Sequence, residues 1–200
     1  TVAIGAPYNN GSFANAGSVR VYKNVSGTWT KIGADIDGEA ASDYSGYRVS
    51  LSSDGTTVAI GALYNDGSFA NAGSVRVYKN VSGTWTKIGA DIDGEAANDQ
   101  SGWSVSLSSD GTTVAIGAPY NNGSGTYAGS VRVYKNVSGT WTKIGADIDG
   151  EAANDQSGWS VSLSSDGTTV AIGAPYNNGS GTYAGSVRVY KNVSGTWTKI

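Results

Sequence analysis

The run TVAIGA begins at Thr1, Thr57, Thr113 and Thr169, so the chain is built on a period of 56 residues. Residues 113–144 and 169–200 are identical, and residues 1–32 differ from 57–88 only at Pro7/Leu63 and Asn10/Asp66. A unit of this size buries its apolar faces by stacking on copies of itself, which yields a solenoid, an array or a propeller. The 200 residues read as one repeat domain, 1–200, with copies at 1–56, 57–112, 113–168 and a partial copy at 169–200.

Four strand signals recur in each period. Across one period starting at Gly102, GWSVSLSS alternates Trp103, Val105 and Leu107 with three serines. SSDGTT follows, and its Asp110-Gly111 pair marks a tight hairpin. TVAIGAP, GSVRVYKN and TWTKIGA supply three more strands, separated by YNNGSGTYA and NVSGT. No helical period occurs. Connectors this short pair neighbouring strands antiparallel, so each unit is a four-stranded meander.

Radial stacking of such meanders predicts an all-β fold: a β-propeller of 56-residue, four-stranded antiparallel blade repeats. The expected blades are 1–32 (partial), 46–91, 102–147 and 158–200, with small residues near the axis and Trp, Tyr and Val filling the wider outer gaps. Fifteen strand signals do not close a ring neatly, and an open array exposes apolar sheet faces. The expected partners are therefore other copies of the chain or neighbouring repeats of a longer one. Arg132, Lys135 and Lys143 are expected on a solvated outer face.

Composition narrows the chemistry. The chain has no Cys, His or Met. That removes disulfides, thiol nucleophiles, the commonest general base and the commonest transition-metal ligand. The expectation is that the chain is not an enzyme. A net charge of −3 argues against nucleic acid as a partner. No apolar run approaches the roughly 18–20 residues that span a bilayer. The chain opens TVAIGAPYNN without an initiator Met, and it reads as a segment of a longer or processed protein.

Two sets of side chains are candidates for binding. The acidic connector DIDGEAANDQSG carries Asp91, Asp93, Glu95 and Asp99. Its equivalents are Asp35, Asp37, Glu39 and Asp43, and Asp147, Asp149, Glu151 and Asp155. These oxygens could serve Ca²⁺, which takes six to eight oxygen ligands. However, Gly94 stands at the connector's fourth place, whereas an EF-hand turn needs glycine at the sixth. The plainer reading is a solvated link between blades, with no resident cofactor. The second set is aromatic: Tyr120, Tyr127, Trp141 and their copies, Tyr176 and Tyr183 among them, could form a platform for a glycan, although tryptophan at strand positions more often packs between blades. Asn122-Gly123-Ser124 and Asn136-Val137-Ser138 fit the N-glycosylation pattern.

The run DQSGWSVSLSSDGTTVAIGAP resembles the FG-GAP repeat: Ser101-Gly102-Trp103-Ser104-Val105 stands at its Phe-Gly part, and Gly117-Ala118-Pro119 at its Gly-Ala-Pro part. GSVRVYKNVSGTWTKIGADIDGEAAND is similar to the bacterial branch of that family. The chain departs from the pattern with Ser101 in place of Phe and with Leu63 in place of Pro. The resemblance implies a propeller like the head of integrin α subunits. The calcium loop of integrin-type repeats lies between strands one and two, where this chain has only SSDG, so that site is not carried over.

These readings converge on an extracellular or cell-surface structural and adhesion protein that displays identical loops, so that weak contacts sum. Its ligand would be a surface glycan or protein. The alternatives are a lectin-like propeller and a designed or reconstructed propeller without a natural ligand.

Overall fold

The computed structural model describes residues 1–200 as strands and turns, with no helix. Hence no helix is long and apolar enough to cross a membrane. Eighteen strands form four antiparallel sheets. The first holds β1 (Val2–Ala6), β2 (Ser18–Val25), β3 (Thr28–Lys31) and β4 (Ile36–Asp37). The second holds β5 (Ser45–Leu51), β6 (Thr57–Ala62), β7 (Ser74–Val81), β8 (Thr84–Lys87) and β9 (Ile92–Asp93). The third holds β10 (Ser104–Leu107), β11 (Thr113–Ala118), β12 (Ser130–Val137), β13 (Thr140–Lys143) and β14 (Ile148–Asp149). The fourth holds β15 (Ser160–Leu163), β16 (Thr169–Ala174), β17 (Ser186–Val193) and β18 (Thr196–Lys199).

The expected meander is present in each full copy, as in the order β10-β11-β12-β13. The three additional strands, β4, β9 and β14, come from the head of the acidic connector. There Ile148 pairs with Val131 and Asp149 with Ser130, which returns the chain to the middle of its own sheet before it crosses to the next.

Successive sheets meet most closely along their inner strands. The Leu107 N–H donates to Ser50 Oγ at 3.0 Å, and the Leu163 N–H to Ser106 Oγ at 3.0 Å. The approach there is backbone to backbone: a Cβ on Gly61 would overlap the Gly102 carbonyl, and one on Gly117 the Gly158 carbonyl. Gly102 also holds a φ of +88°, a conformation that glycine adopts without a Cβ penalty.

Each gap between sheets is filled in the same way. Ala59, Val75, Val77 and Ile92 of the second sheet pack on Val105, Leu107, Val114 and Ile116 of the third. The outer part is closed by tryptophan. Trp85, Trp141 and Trp197 each donate their indole N–H to the carbonyl of Ile32, Ile88 or Ile144 in the preceding sheet, all at 2.8 Å.

The placement of Arg132 corrects the sequence reading. Its side chain is 5 % exposed, and Arg76 and Arg188 are buried in the same way. A middle strand such as β12 is covered on both faces: Val131 and Val133 face the fourth sheet, and Arg132 between them enters the gap towards the second. There Nη2 donates to the Asp93 carbonyl and to Ser101 Oγ, both at 3.0 Å, while Nη1 donates to the Tyr134 hydroxyl at 3.1 Å. The arginine thus ties each sheet to the connector that precedes it.

Candidate binding face

The acidic connector spreads its carboxylates over separate tasks. Asp35, Asp91 and Asp147 pair with Lys31, Lys87 and Lys143 at 2.6–2.7 Å. Glu39, Glu95 and Glu151 reach forward to Arg76, Arg132 and Arg188 of the next sheet at 3.2–3.6 Å. Asp43, Asp99 and Asp155 are buried. Asp99 Oδ2 accepts from the Ala96 N–H and from Asn121 Nδ2, which fastens the connector to the next loop. Burial raises the Asp99 pKa, and these two hydrogen bonds oppose the shift. Asp37, Asp93 and Asp149 end the short strands β4, β9 and β14, and Asp93 is raised by burial first and by Asp91 second. No three acidic side chains gather as a group that could hold a metal ion.

At the SSDG hairpin, hydroxyls surround the carboxylate. Ser108 Oγ donates to Asp110 Oδ1 at 2.6 Å, and the Thr112 N–H and hydroxyl donate to the same oxygen at 2.9 Å. The Thr113 N–H closes the turn on Ser108 Oγ at 3.0 Å.

The aromatic set comes together. Asn122 Oδ1 accepts the Tyr127 N–H at 2.9 Å and holds that residue at a φ of 52°, and Asn178 does the same for Tyr183. Tyr127 then stands edge-on to Tyr120, with ring centroids 5.6 Å apart, and Tyr183 stands edge-on to Tyr176 at 5.8 Å. What joins the two pairs is Trp103 with Trp159, at the heads of adjacent inner strands and 4.6 Å apart. Tyr120 meets Trp103 at 5.7 Å, and Tyr176 meets Trp159 at 6.1 Å. Six rings therefore run without a break from one loop to the next. Tyr47 continues the run on the other side of Trp103 at 5.2 Å, with the Arg48 guanidinium over its ring.

Sequence reasoning placed four of these tyrosines in a platform and missed Tyr47, Trp103 and Trp159, because strand alternation put Trp103 with Val105 in the core. β10 begins at Ser104, and the side chain before it leaves the sheet. Trp103 Nε1 is shielded from solvent and has no acceptor in the protein. Burial, then the nearby tyrosines, raise the pKa of the Tyr120 hydroxyl. Tyr127 and Tyr176 are 44 % and 40 % exposed, so the run presents ring edges and faces to solvent. Phe13 and Phe69, two residues earlier in the loops of the first two copies, are half exposed as well. The surface can take a flat apolar ligand face while phenol groups bond its rim.

The FG-GAP repeat matches residues 86–134 and 142–190. No curated protein matches the chain. Among solved structures, a Bacteroides uniformis protein assigned as a 6-phosphogluconolactonase aligns at a TM-score of 0.61 and 13 % identity, covering 92 % of this chain and 46 % of the other. A Lactobacillus plantarum protein aligns at 0.60 and 17 % identity, covering 92 % and 49 %. The periplasmic gluconolactonase of Pseudomonas aeruginosa aligns at 0.56 and 18 % identity, covering 94 % and 49 %. The chain spans about half the length of these structures. At such identities the likeness is one of fold, and it supports a propeller-like arrangement of the sheets. It also overturns the expectation that the chain is not an enzyme, since two of these structures carry the names of lactonases. The two matched segments are FG-GAP repeats, and the rest of the chain holds the same sequence elements.

Proposed function

We propose that this chain is an adhesion module that acts outside the cell or on its surface, with each sheet one blade of a β-propeller. Its aromatic loop face would grip an extended polysaccharide. The observation that carries this reading is the unbroken run Tyr127–Tyr120–Trp103–Trp159–Tyr176–Tyr183, which crosses from the third sheet to the fourth. One stacked ring gives little affinity. Rings held at fixed spacing on rigid sheets engage successive units of one ligand, and the later contacts are intramolecular. The chain's −3 charge and its Asn- and Ser-rich loops suit a neutral polymer with many hydroxyls better than a polyanion.

Pull-down on insoluble neutral polysaccharides and a glycan array test this. Wild-type protein should bind saturably. Tyr120→Ala with Tyr176→Ala should weaken binding at least about tenfold, roughly 1.4 kcal/mol, with the melting temperature little changed. Binding that is absent, or indifferent to these substitutions, would sink the reading. Because lactonases share the fold, hydrolysis of sugar lactones should be assayed on the same proteins. Turnover that falls with Tyr120 and Tyr176 would place catalysis on this face.

A further inference from the structure

The two ends of the array are the two halves of one contact. Inside the chain, every gap joins a face carrying Val and Ile of one sheet to a face carrying Val, Ile, Tyr and Trp of the next. At the start of the chain the second kind of face is uncovered. Ile4 is 52 % and Trp29 54 % exposed, whereas Ile60 and Ile116, the equivalents of Ile4, are buried. Val2, Ile4, Tyr22 and Trp29 line an apolar hollow of about 300 Å³ there. At the end of the chain the first kind of face is uncovered. Val187 is 69 % and Ile200 72 % exposed, whereas Val75 and Val131, the equivalents of Val187, are fully buried.

The hydrogen-bond series stops at the same places. The indoles of Trp85, Trp141 and Trp197 donate to Ile32, Ile88 and Ile144. The next acceptor in the series is the Ile200 carbonyl and the donor that precedes it is the Trp29 indole, one at each end of the chain.

We propose that two copies of this chain pair end to end, the Val2–Ile4–Tyr22–Trp29 face of each against the Val187–Ile200 face of the other, and that the contact forms twice to close a two-copy ring. Two observations select a second copy as the occupant. The uncovered faces reproduce the two sides of a contact that the chain already makes three times. One chain also spans 46–49 % of the solved chains it resembles, so two span about one. A heterologous contact that closes on itself gives a ring rather than a filament. The contact between copies is narrower than those within a chain, because the first sheet has no inner strand equivalent to β5. It should therefore dissociate on dilution before the sheets unfold.

Light scattering on the 200-residue chain should give twice its 20.3 kDa. Ile4→Arg and Val187→Arg should each give single chains with unchanged far-UV circular dichroism, since both side chains face solvent in the lone chain. Mixing the two variants in equal amounts should restore a two-chain species, because one contact in the mixed pair is then wild type on both sides. A wild-type chain that stays single, a pair that tolerates both substitutions, or a mixture that stays single would each overturn the proposal. Open polymers of wild-type chain would overturn the ring.

Discussion

At the scale of single residues, hydroxyls and carboxylates set the acid stability. Asp166 is held down to about 2 by the Ser164 hydroxyl, and then by the Thr168 backbone and side chain. Asp110 and Asp54 are lowered in the same way, with Ser108 and Ser52 as the leading causes. A lowered folded value means that the unfolded chain binds protons first as pH falls. The contribution of these hairpins is therefore complete above the unfolded value of 3.8 and is lost as pH drops towards about 2. The melting temperature should fall through that window, and Asp54→Asn, Asp110→Asn and Asp166→Asn together should flatten the fall. An equally steep fall in the triple variant would place the acid sensitivity elsewhere. The hairpin itself was legible in Asp110-Gly111. The hydroxyl ring around the carboxylate was not, because Ser and Thr carry no mark of where their protons point. The buried Asp99 was hidden for a related reason: its partner Asn121 lies in another copy's loop, and no local pattern links them.

At the scale of elements, the alternation of apolar and small residues was enough to find every long strand. It could not find β4, β9 and β14, which are two residues each and are held by pairing to a middle strand rather than by their own sequence. The same limit misplaced Arg132 and Trp103. Period-two alternation separates two faces but does not tell which of them is covered, and here the middle strands are covered on both. Between elements, the tryptophan on the fourth strand acts as a latch. Trp141→Phe keeps most of the apolar surface and leaves the Ile88 carbonyl without its donor, so it should cost roughly 1–2 kcal/mol. Urea unfolding should show a lower midpoint at the same slope, the signature of lost stability without a change in exposed surface. A midpoint unchanged within error would mean that solvent replaces the bond.

At the scale of the molecule, stability should approach a sum over sheets and the contacts between them. Excising residues 57–112 joins Thr56 to Thr113, a junction of the same residue types as Thr56 to Thr57. The shortened chain should fold into three sheets, and its urea slope should fall by roughly a quarter as less surface is exposed on unfolding. A chain that loses its circular dichroism would mean that the sheets depend on more than their neighbours. The repeated glycine contacts, Gly61 on Gly102 and Gly117 on Gly158, lead to a consequence for refolding. Each is a docking point of the same shape, and the sequences that surround them are nearly the same. A collapsing chain has no local means to tell the second sheet from the third when it chooses what to set against the fourth. Pairings displaced by one period keep most native contacts and exclude one sheet as a loop. Refolding should therefore pass through compact, well-packed species that must open before they can be corrected, a kinetic burden that grows with the fidelity of the repeat.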